Sequence, residues 1–162
     1  MNKITNAELK ELLHYDPVTG HFTWLVSRGR AKVGKVAGSH DGQGYINITL
    51  SRRSYCAHRL AHLYMMGDWP EHDIDHEDLN KSNNKWLNLR PATGSQNEAN
   101  KPLRSDNTLG YKGVYRAGNR FAAQIKTNGV KKHLGYFDSA YDAHQSYLAA
   151  SNDVFGEFAR AA

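Results

Sequence analysis

Cysteine occurs once in this sequence of 162 residues, at Cys56. A single cysteine cannot form an intrachain disulfide, and it excludes zinc clusters built from several cysteines. The fold must therefore be held together by an ordinary hydrophobic core. Hydrophobic residues make up 40% of the chain and aromatic residues 10%, which is enough to bury such a core. The length suits one ordinary domain or two small ones.

No segment of the sequence has the character of a targeting or membrane signal. The N-terminal stretch MNKITNAELKELLHYD lacks an apolar run of signal-peptide length, and no later segment approaches a membrane span. We therefore expect a soluble protein in a reducing, cytoplasmic setting, with no membrane partner.

The net charge of +5 is unevenly distributed. Residues 1–100 carry 12 Lys and Arg against 11 Asp and Glu, whereas residues 101–162 carry 9 against 5. The first part also contains two basic stretches and an acidic cluster. This pattern suits a polyanion binder that also holds a cation, although an ordinary solvated surface gives similar counts. The basic stretches contain Arg28, Arg30, Lys32, Lys35, Arg52, Arg53 and Arg59, and the acidic cluster contains Glu71, Asp73, Asp75, Glu77 and Asp78.

Helix and strand signals alternate up to residue 67. Thr5 to Glu8 forms a capping-box pattern that predicts a short amphipathic helix. Residues 21–25 and 44–50 predict strands, the second because apolar and polar side chains alternate in GYINITL. Residues 55–66 carry apolar side chains at helical spacing, and Gly67 is the expected C-cap.

Residues 72–100 have little hydrophobic periodicity but are dense in polar groups. A short strand at 73–76, a polar loop at 77–86 and a returning strand at 87–92 precede a second capping box, which opens a helix containing Asn97. These elements make a ββα unit. The polar segment 101–108 (KPLRSDNT) contains a proline and predicts a linker.

The Asp75-His76 pair indicates a reaction for the ββα unit, namely phosphodiester hydrolysis. Phosphodiester hydrolysis needs an activated water, neutralised charge on the phosphoryl oxygens and help for the departing 3′ oxygen. A histidine can take the proton of water, and a hard divalent cation on oxygen ligands can supply the other two effects. Neighbours on a strand point to opposite faces, so a twist or bulge is needed for both residues to serve one site. Asn97 could complete the coordination with its amide oxygen, and Asn88 could brace the loop that orients His76.

The spacing of Asp75, His76, Asn88 and Asn97 resembles the HNH (ββα-metal) nuclease motif, in the variant found in phage and intron-encoded homing endonucleases. The flanking Ala57-His58-Arg59-Leu60-Ala61, Asn83-Asn84 and Asn88-Leu89-Arg90 also fit it. The resemblance implies that His76 is the general base, that Asp75 and Asn97 are metal ligands, and that Asn88 positions the base. It further implies a divalent ion, Mg²⁺ or alternatively Mn²⁺, and double-stranded DNA as the substrate.

Several neighbouring side chains have two interpretations. His58 and His62 lie four residues apart on a predicted helix and could bind zinc, although such a pair more often divides between packing and solvent. Arg59 and Arg90 could contact phosphates or form structural pairs. Asn83 and Asn84 are interpreted as loop-forming residues.

The C-terminal part predicts three short strands, at 111–116, 120–125 and 133–137, followed by an alanine-rich helix at 140–151. Together with the ending Phe155-Gly156-Glu157-Phe158-Ala159, these segments resemble the AP2 domain, which lays a three-stranded antiparallel sheet into the DNA major groove and backs it with one helix. Tyr115 stands where plant members usually have arginine, so their base preference is not transferred. The resemblance puts a set of DNA-contacting side chains on or near the sheet face: Lys112, Tyr115, Arg116, Arg120, Gln124, Lys126 and Lys132.

The sequence thus predicts an α+β protein: a ββα-metal (HNH) nuclease core followed by an AP2-like three-stranded antiparallel sheet with one helix. The expected limits are 1–100 for the nuclease region, with its motif at about 72–100, then a linker at 101–108 and an AP2-like domain at 109–162. We expect a metal-dependent DNA endonuclease of phage homing or nicking type. The alternatives are a non-catalytic, sequence-specific DNA-binding regulator and a structural packaging protein. The sequence contains no coiled-coil pattern and no obvious dimer surface, which favours a monomer.

Overall fold

Small sheets and short helices alternate along the computed structural model, which describes residues 3–161. Contacts divide the chain into two compact units, Met1–Pro91 and Ala92–Ala162.

The N-terminal helix begins at the predicted capping box. The Thr5 side chain accepts a hydrogen bond from the backbone N–H of Glu8, while the Glu8 carboxylate accepts one from the backbone N–H of Thr5. These two bonds satisfy donors that a helix start would otherwise leave unpaired. Helix α1 (Asn6–Leu12) buries Leu9 and Leu12 against the rest of the first unit.

The strands of the first unit are short and form three small sheets. The first pairs two neighbouring strands antiparallel, the second is a three-stranded antiparallel sheet, and the third pairs the two strands that flank the polar loop. The first sheet contains β1 (Leu13–Tyr15) and β2 (Phe22–Trp24). The second contains β3 (Ser39–His40), β4 (Ile46–Leu50) and β5 (Arg53–Cys56). The third contains β6 (Asp73–His76) and β7 (Leu89–Ala92).

A hydrophobic core between β4 and helix α2 (Ala57–Met66) holds these elements together. Ile48 and Leu50 of β4, and Leu60 and Leu63 of α2, are at most 2% exposed. The alternation in GYINITL is therefore confirmed as a strand with one buried face. The predicted C-cap is also confirmed, because Gly67 ends α2 in the left-handed conformation, at φ 93°.

The polar block folds in the predicted ββα order. A 3₁₀ helix, Trp86–Asn88, precedes β7, so this strand begins two residues later than expected. The second capping box is confirmed, since Thr93 and Gln96 exchange the two expected hydrogen bonds and helix α3 (Gly94–Asn100) follows.

The second unit contains α3 and a three-stranded antiparallel sheet with a helix packed on it. The sheet order is β10-β9-β8, and the strands are β8 (Val114–Ala117), β9 (Arg120–Thr127) and β10 (Val130–Phe137). Helix α4 (Ala140–Phe155) buries Ala143 and Tyr147 against the sheet side that carries Ala123 and Ile125, and a 3₁₀ helix, Gly156–Phe158, ends the fold. The three predicted strands and the predicted helix are confirmed.

The boundary between the compact units falls before α3, not at the linker predicted at 101–108. Helix α3 is tied to the second unit by its side chains and backbone: Ser95 Oγ accepts from the backbone N–H of Asn128 at 2.7 Å, and Lys112 Nζ donates to the carbonyl of Ala99 at 2.6 Å. The assignment of a nuclease region to residues 1–100, a linker to 101–108 and an AP2-like domain to 109–162 stays a prediction.

Helices that could cross a membrane are absent from residues 3–161, because none combines the necessary length with the necessary apolarity.

Candidate active site

The Asp75-His76 pair lies at the end of β6, with its two side chains in different environments. Asp75 is 5% exposed and His76 is 4% exposed. Asp75 contacts Arg90 of β7, whereas His76 contacts the following loop and helix α2. This separation agrees with the expectation that strand neighbours point to opposite faces.

The imidazole of His76 is held by a residue of the loop. Its Nε2 lies 3.2 Å from Asn84 Oδ1, and Asn84 Nδ2 donates to the carbonyl of Ser82 at 3.2 Å. Because the amide nitrogen of Asn84 faces a carbonyl, the amide oxygen must face His76. An amide oxygen only accepts, so His76 Nε2 carries the proton and Nδ1 carries the lone pair in the neutral ring.

Asn84 is itself fixed by the N-terminal part of the chain. It is 3% exposed, and its carbonyl accepts a hydrogen bond from the Tyr15 hydroxyl at 2.7 Å. Gly20, at φ 76°, packs so closely on the loop that a Cβ there would lie 2.4 Å from the carbonyl carbon of Asn84. The backbone N–H of Trp86 also donates to the carbonyl of Pro17. Residues 15–20 therefore position the loop that positions His76.

Burial lowers the pKa of His76, and the Asn84 hydrogen bond and the nearby carboxylates of Asp78 and Asp75 offset this only in part. The imidazole is consequently neutral at neutral pH. A neutral ring with a defined tautomer is the form that can accept a proton from water.

Two rings of the first unit enclose His76. The His58 ring meets it edge-on with centroids 5.0 Å apart, and the Tyr45 ring lies 6.0 Å away. His58 is 7% exposed, and burial, followed by the neighbouring His76 and Arg59, lowers the pKa of His58 to about 3. His58 is thus a neutral packing partner of His76.

The zinc interpretation of His58 and His62 gains no support. His62 Nδ1 lies 3.1 Å from the carbonyl of Asp68, while His58 packs on His76 and Tyr45. Within residues 3–161, no three His, Cys, Asp or Glu side chains gather in a group that could hold a metal ion.

Asn88 makes the contacts expected of a loop brace. Its Oδ1 accepts from the backbone N–H of Asp78 at 3.1 Å, and its Nδ2 donates to Asp78 Oδ1 at 2.9 Å and to the carbonyl of Asn83 at 2.8 Å. These bonds join the two ends of the loop that leaves His76. The role of Asn88 in positioning the base stays a prediction.

Arg90 pairs with the predicted metal ligand. Its Nε lies 3.1 Å from Asp75 Oδ2, and both side chains are largely buried, at 13% and 5% exposure. Arg59 donates to the carbonyl of Pro70 and lies 3.9 Å from Asp73. Of the two interpretations of these arginines, the contacts match the structural one.

Asn97, the other predicted ligand, is half-buried on α3 and belongs to the second compact unit. Its role as a ligand stays a prediction.

The strand register divides the predicted DNA-contacting residues between two faces of the second sheet. Residues directly opposite in an antiparallel pair share a face, and Tyr115 pairs with Ala122, whereas Arg116 pairs with Phe121 and Lys132 with Ile125. Phe121 and Ile125 face α4. Tyr115, Arg120, Gln124 and Lys126 therefore lie on the outer face, and Arg116 and Lys132 lie instead on the face that α4 covers.

Two of these residues have internal partners. Lys112 lies before β8, and its ammonium donates to the carbonyls of Ala99 at 2.6 Å and Lys101 at 2.7 Å. Burial lowers the pKa of Lys112. Arg120 pairs with Asp138 at 2.9 Å. Register also adds outer-face residues that the sequence analysis did not name: Lys131, His133 and Tyr136.

Asn84 is the site residue that the sequence analysis missed. The Asn83-Asn84 pair was noted, but a polar loop has no periodicity that would show which side chain turns inward. The Tyr15 and Gly20 contacts decide this, and they join residues more than sixty positions apart.

Part of the chain is similar in sequence to known HNH endonucleases. Residues 55–99 match the family model of HNH endonucleases. An uncharacterized HNH endonuclease of Acanthamoeba polyphaga mimivirus is 37% identical over 87 residues, which is 53% of this chain and 44% of that protein. The chain thus spans less than half the length of that relative. The solved structure of DNA binding and cleavage by the HNH homing endonuclease I-HmuI aligns with a TM-score of 0.45 and 18% identity, over 96% of this chain and 91% of that one.

Proposed function

We propose that this protein is a metal-dependent DNA endonuclease with His76 as its general base, since residues 55–99 match the family model of HNH endonucleases. One observation carries the proposal. His76 is buried and neutral, and Asn84 holds it in the tautomer whose Nδ1 can accept a proton.

In the proposed reaction, His76 Nδ1 takes a proton from a water molecule, which attacks the phosphorus of a DNA phosphodiester. The bond from phosphorus to the 3′ oxygen breaks and the departing oxygen takes a proton from solvent water, so the products are a 5′-phosphate and a 3′-hydroxyl. The Asn84 hydrogen bond favours this step, because its amide oxygen stabilises the imidazolium ring that forms. The brace formed by Asn88 keeps the loop and its hydrogen bond in place.

Asp75 and Asn97 would hold the divalent ion, and their carboxylate and amide oxygens are the hard donors that Mg²⁺ and Mn²⁺ accept. When bound, such an ion neutralises charge on the phosphate and stabilises the departing 3′ oxygen. The Arg90 contact orients the Asp75 carboxylate, as partners of metal-binding carboxylates commonly do.

We further propose that the second unit is an AP2-like domain that targets DNA through the outer face of its sheet. The support is its architecture of three antiparallel strands and one helix, and the polar and basic character of Tyr115, Gln124 and Lys126. The biological proposal is a phage homing or nicking enzyme that works as a monomer in the cytoplasm of the host cell.

A nicking assay on supercoiled plasmid tests the catalytic proposal. The wild-type chain should nick it in Mg²⁺ or Mn²⁺ and not in EDTA, and His76→Ala should lose roughly 10²- to 10⁴-fold in rate, the usual contribution of a general base. His72→Ala, an exposed histidine four residues earlier, is the matched control. Metal-dependent nicking that persists in His76→Ala would falsify the assignment of the base. DNA binding without any nicking by the wild type would instead favour the non-catalytic regulator.

A further inference from the structure

The arginines of the first unit differ in whether they have an acidic partner. Arg59 and Arg90 pair with aspartates. In contrast, no ion pair within residues 3–161 involves Arg28, Arg30 or Arg52, and all three are exposed. Three exposed guanidinium groups without carboxylate partners are available to an external anion.

Two tight turns bring these arginines to adjoining grooves. Arg28 and Ala31 exchange two backbone hydrogen bonds, of 3.0 and 2.9 Å, which closes a turn that presents Arg30. The second turn joins β4 to β5 at Ser51 and Arg52. One groove of about 390 Å³ is lined by Arg28, Arg30 and Ser51, and a neighbouring one of about 810 Å³ by Arg28, Ser51 and Arg52.

The charge of the larger groove is predominantly positive. Its lining includes Lys3, Arg28, Arg52 and Arg53 against two carboxylates, Glu8 and Glu11. Glu8 belongs to the α1 capping box, which already uses its carboxylate.

The backbone at the second turn is in an uncommon conformation. Ser51 has φ 49° and Arg52 has φ 65°, both in the left-handed region. A two-residue hairpin turn of this kind favours Asn and Gly, and other residues there cost free energy. An arginine is therefore held at a position where glycine would cost the backbone less free energy.

We propose that Arg28, Arg30 and Arg52 form an arginine surface that binds the phosphate backbone of double-stranded DNA, separately from the HNH domain at 55–99 and from the second sheet. A guanidinium group binds phosphate oxygens through two parallel hydrogen bonds, and two adjoining grooves that share Arg28 place three such groups on one stretch of surface. The contact is independent of base sequence and adds affinity and orientation. This inference rests on the proposed function, since it assumes a DNA substrate.

The test measures binding of the full chain to a fluorescent random-sequence duplex in EDTA, over a series of salt concentrations. In the triple variant Arg28→Gln, Arg30→Gln, Arg52→Gln, the slope of log Kd against log salt concentration should fall by about 2.7, since each lost phosphate contact removes about 0.9. Arg52→Gly alone should lower the slope by about 0.9. It should also unfold at no lower urea concentration than wild type, because glycine relieves the turn.

The matched control is Arg104→Gln, which removes the same charge from an exposed arginine paired with Asp106. Its slope should equal that of the wild type. The arginine surface is overturned if the slope is unchanged in the triple variant, or if Arg104→Gln lowers the slope as much as Arg52→Gly does. Either result leaves the proposed function intact. A wild-type chain that binds no duplex overturns both proposals.

Discussion

The side-chain oxygen of Asn84 lies 3.2 Å from Nε2 of His76, and the nitrogen of the same amide donates to the carbonyl of Ser82. One asparagine thereby determines which ring nitrogen of the buried histidine carries the proton. In Asn84→Ala we expect a folded protein whose nicking rate falls, by no more than the roughly 10²- to 10⁴-fold that a general base contributes. The measurement is single-turnover plasmid nicking.

A double-mutant cycle separates this role from a general effect on the loop. Since Asn84 acts through His76, adding Asn84→Ala to His76→Ala should cause little further loss. Fully additive losses would contradict the assignment.

The ion pair between Arg90 and Asp75 leads to a prediction about metal binding. In Arg90→Gln the buried carboxylate of Asp75 loses its ion pair with Arg90, and in EDTA we expect the free energy of unfolding to fall by roughly 3 kcal/mol. Mn²⁺ should restore part of this loss and stabilise the variant more than the wild type, because the cation replaces the missing positive charge on Asp75. Urea unfolding with and without Mn²⁺ measures both effects.

Arg59→Gln is the control for that experiment, since its pair with Asp73 is long, at 3.9 Å, and Asp73 is 60% exposed. It should cost less than about 1 kcal/mol and show no additional response to Mn²⁺. Equal Mn²⁺ stabilisation of Arg90→Gln and wild type would argue against Asp75 as a metal ligand.

His58 makes stability depend on pH. Its pKa is lowered to about 3 in the folded protein, from an ordinary value of 6.5. Below about pH 6.5 the unfolded chain binds a proton that the folded chain does not, so stability decreases as the pH falls, by up to about 1.4 kcal/mol per pH unit. His58→Phe should remove the contribution of His58 to the change of unfolding free energy with pH, measured by urea unfolding between pH 6.5 and 4.5. At pH 7.5 the side chain at position 58 is neutral in both the folded and the unfolded protein. The difference in unfolding free energy between wild type and His58→Phe at that pH therefore reports packing alone. Parallel stability curves for the two proteins would disprove the prediction.

Gly20 couples the N-terminal turn to the loop that holds His76. A Cβ at this position would lie 2.4 Å from backbone atoms of Asn84 and Lys85. We expect Gly20→Ala to lose more stability than the roughly 1–2 kcal/mol of a left-handed alanine, and to lose nicking activity under conditions where it remains folded. Gly34→Ala is the matched control, because Gly34 has φ 77° with no atom within 4 Å of the added Cβ. Similar losses in the two variants would exclude a role for the close approach.

The faces of the second sheet can be distinguished with two lysines. Lys126 lies on the outer face and Lys132 on the face that α4 covers, although both are exposed. If the outer face binds DNA, Lys126→Gln should lower the slope of log Kd against log salt concentration by about 0.9, and Lys132→Gln should not. Fluorescence anisotropy on a duplex measures both. The opposite result would assign DNA contact to the other face.

Local patterns in the sequence predicted most elements because their causes are local. Each capping box needs only a side chain and a backbone N–H three residues apart, and the alternation in residues 44–50 needs only one buried face. The order of the ββα unit followed from the same patterns. The domain limits behaved differently, since α3 is attached to the second unit by Ser95 and Lys112 across contacts that no local pattern contains.

The Asp75-His76 pair and its spacing to Asn88 and Asn97 are properties of the sequence alone, as are the residue types that suit phosphodiester chemistry. Only the tertiary structure decided what surrounds the pair: Asn84 on one ring nitrogen of His76, His58 against its ring, and Arg90 on Asp75. The physical reason is that burial and hydrogen-bond direction depend on segments brought together from residues 15–20, α2 and β7. Spacing along the chain can place a histidine and a carboxylate side by side, but these distant contacts determine the tautomer of His76 and the ion pair of Asp75.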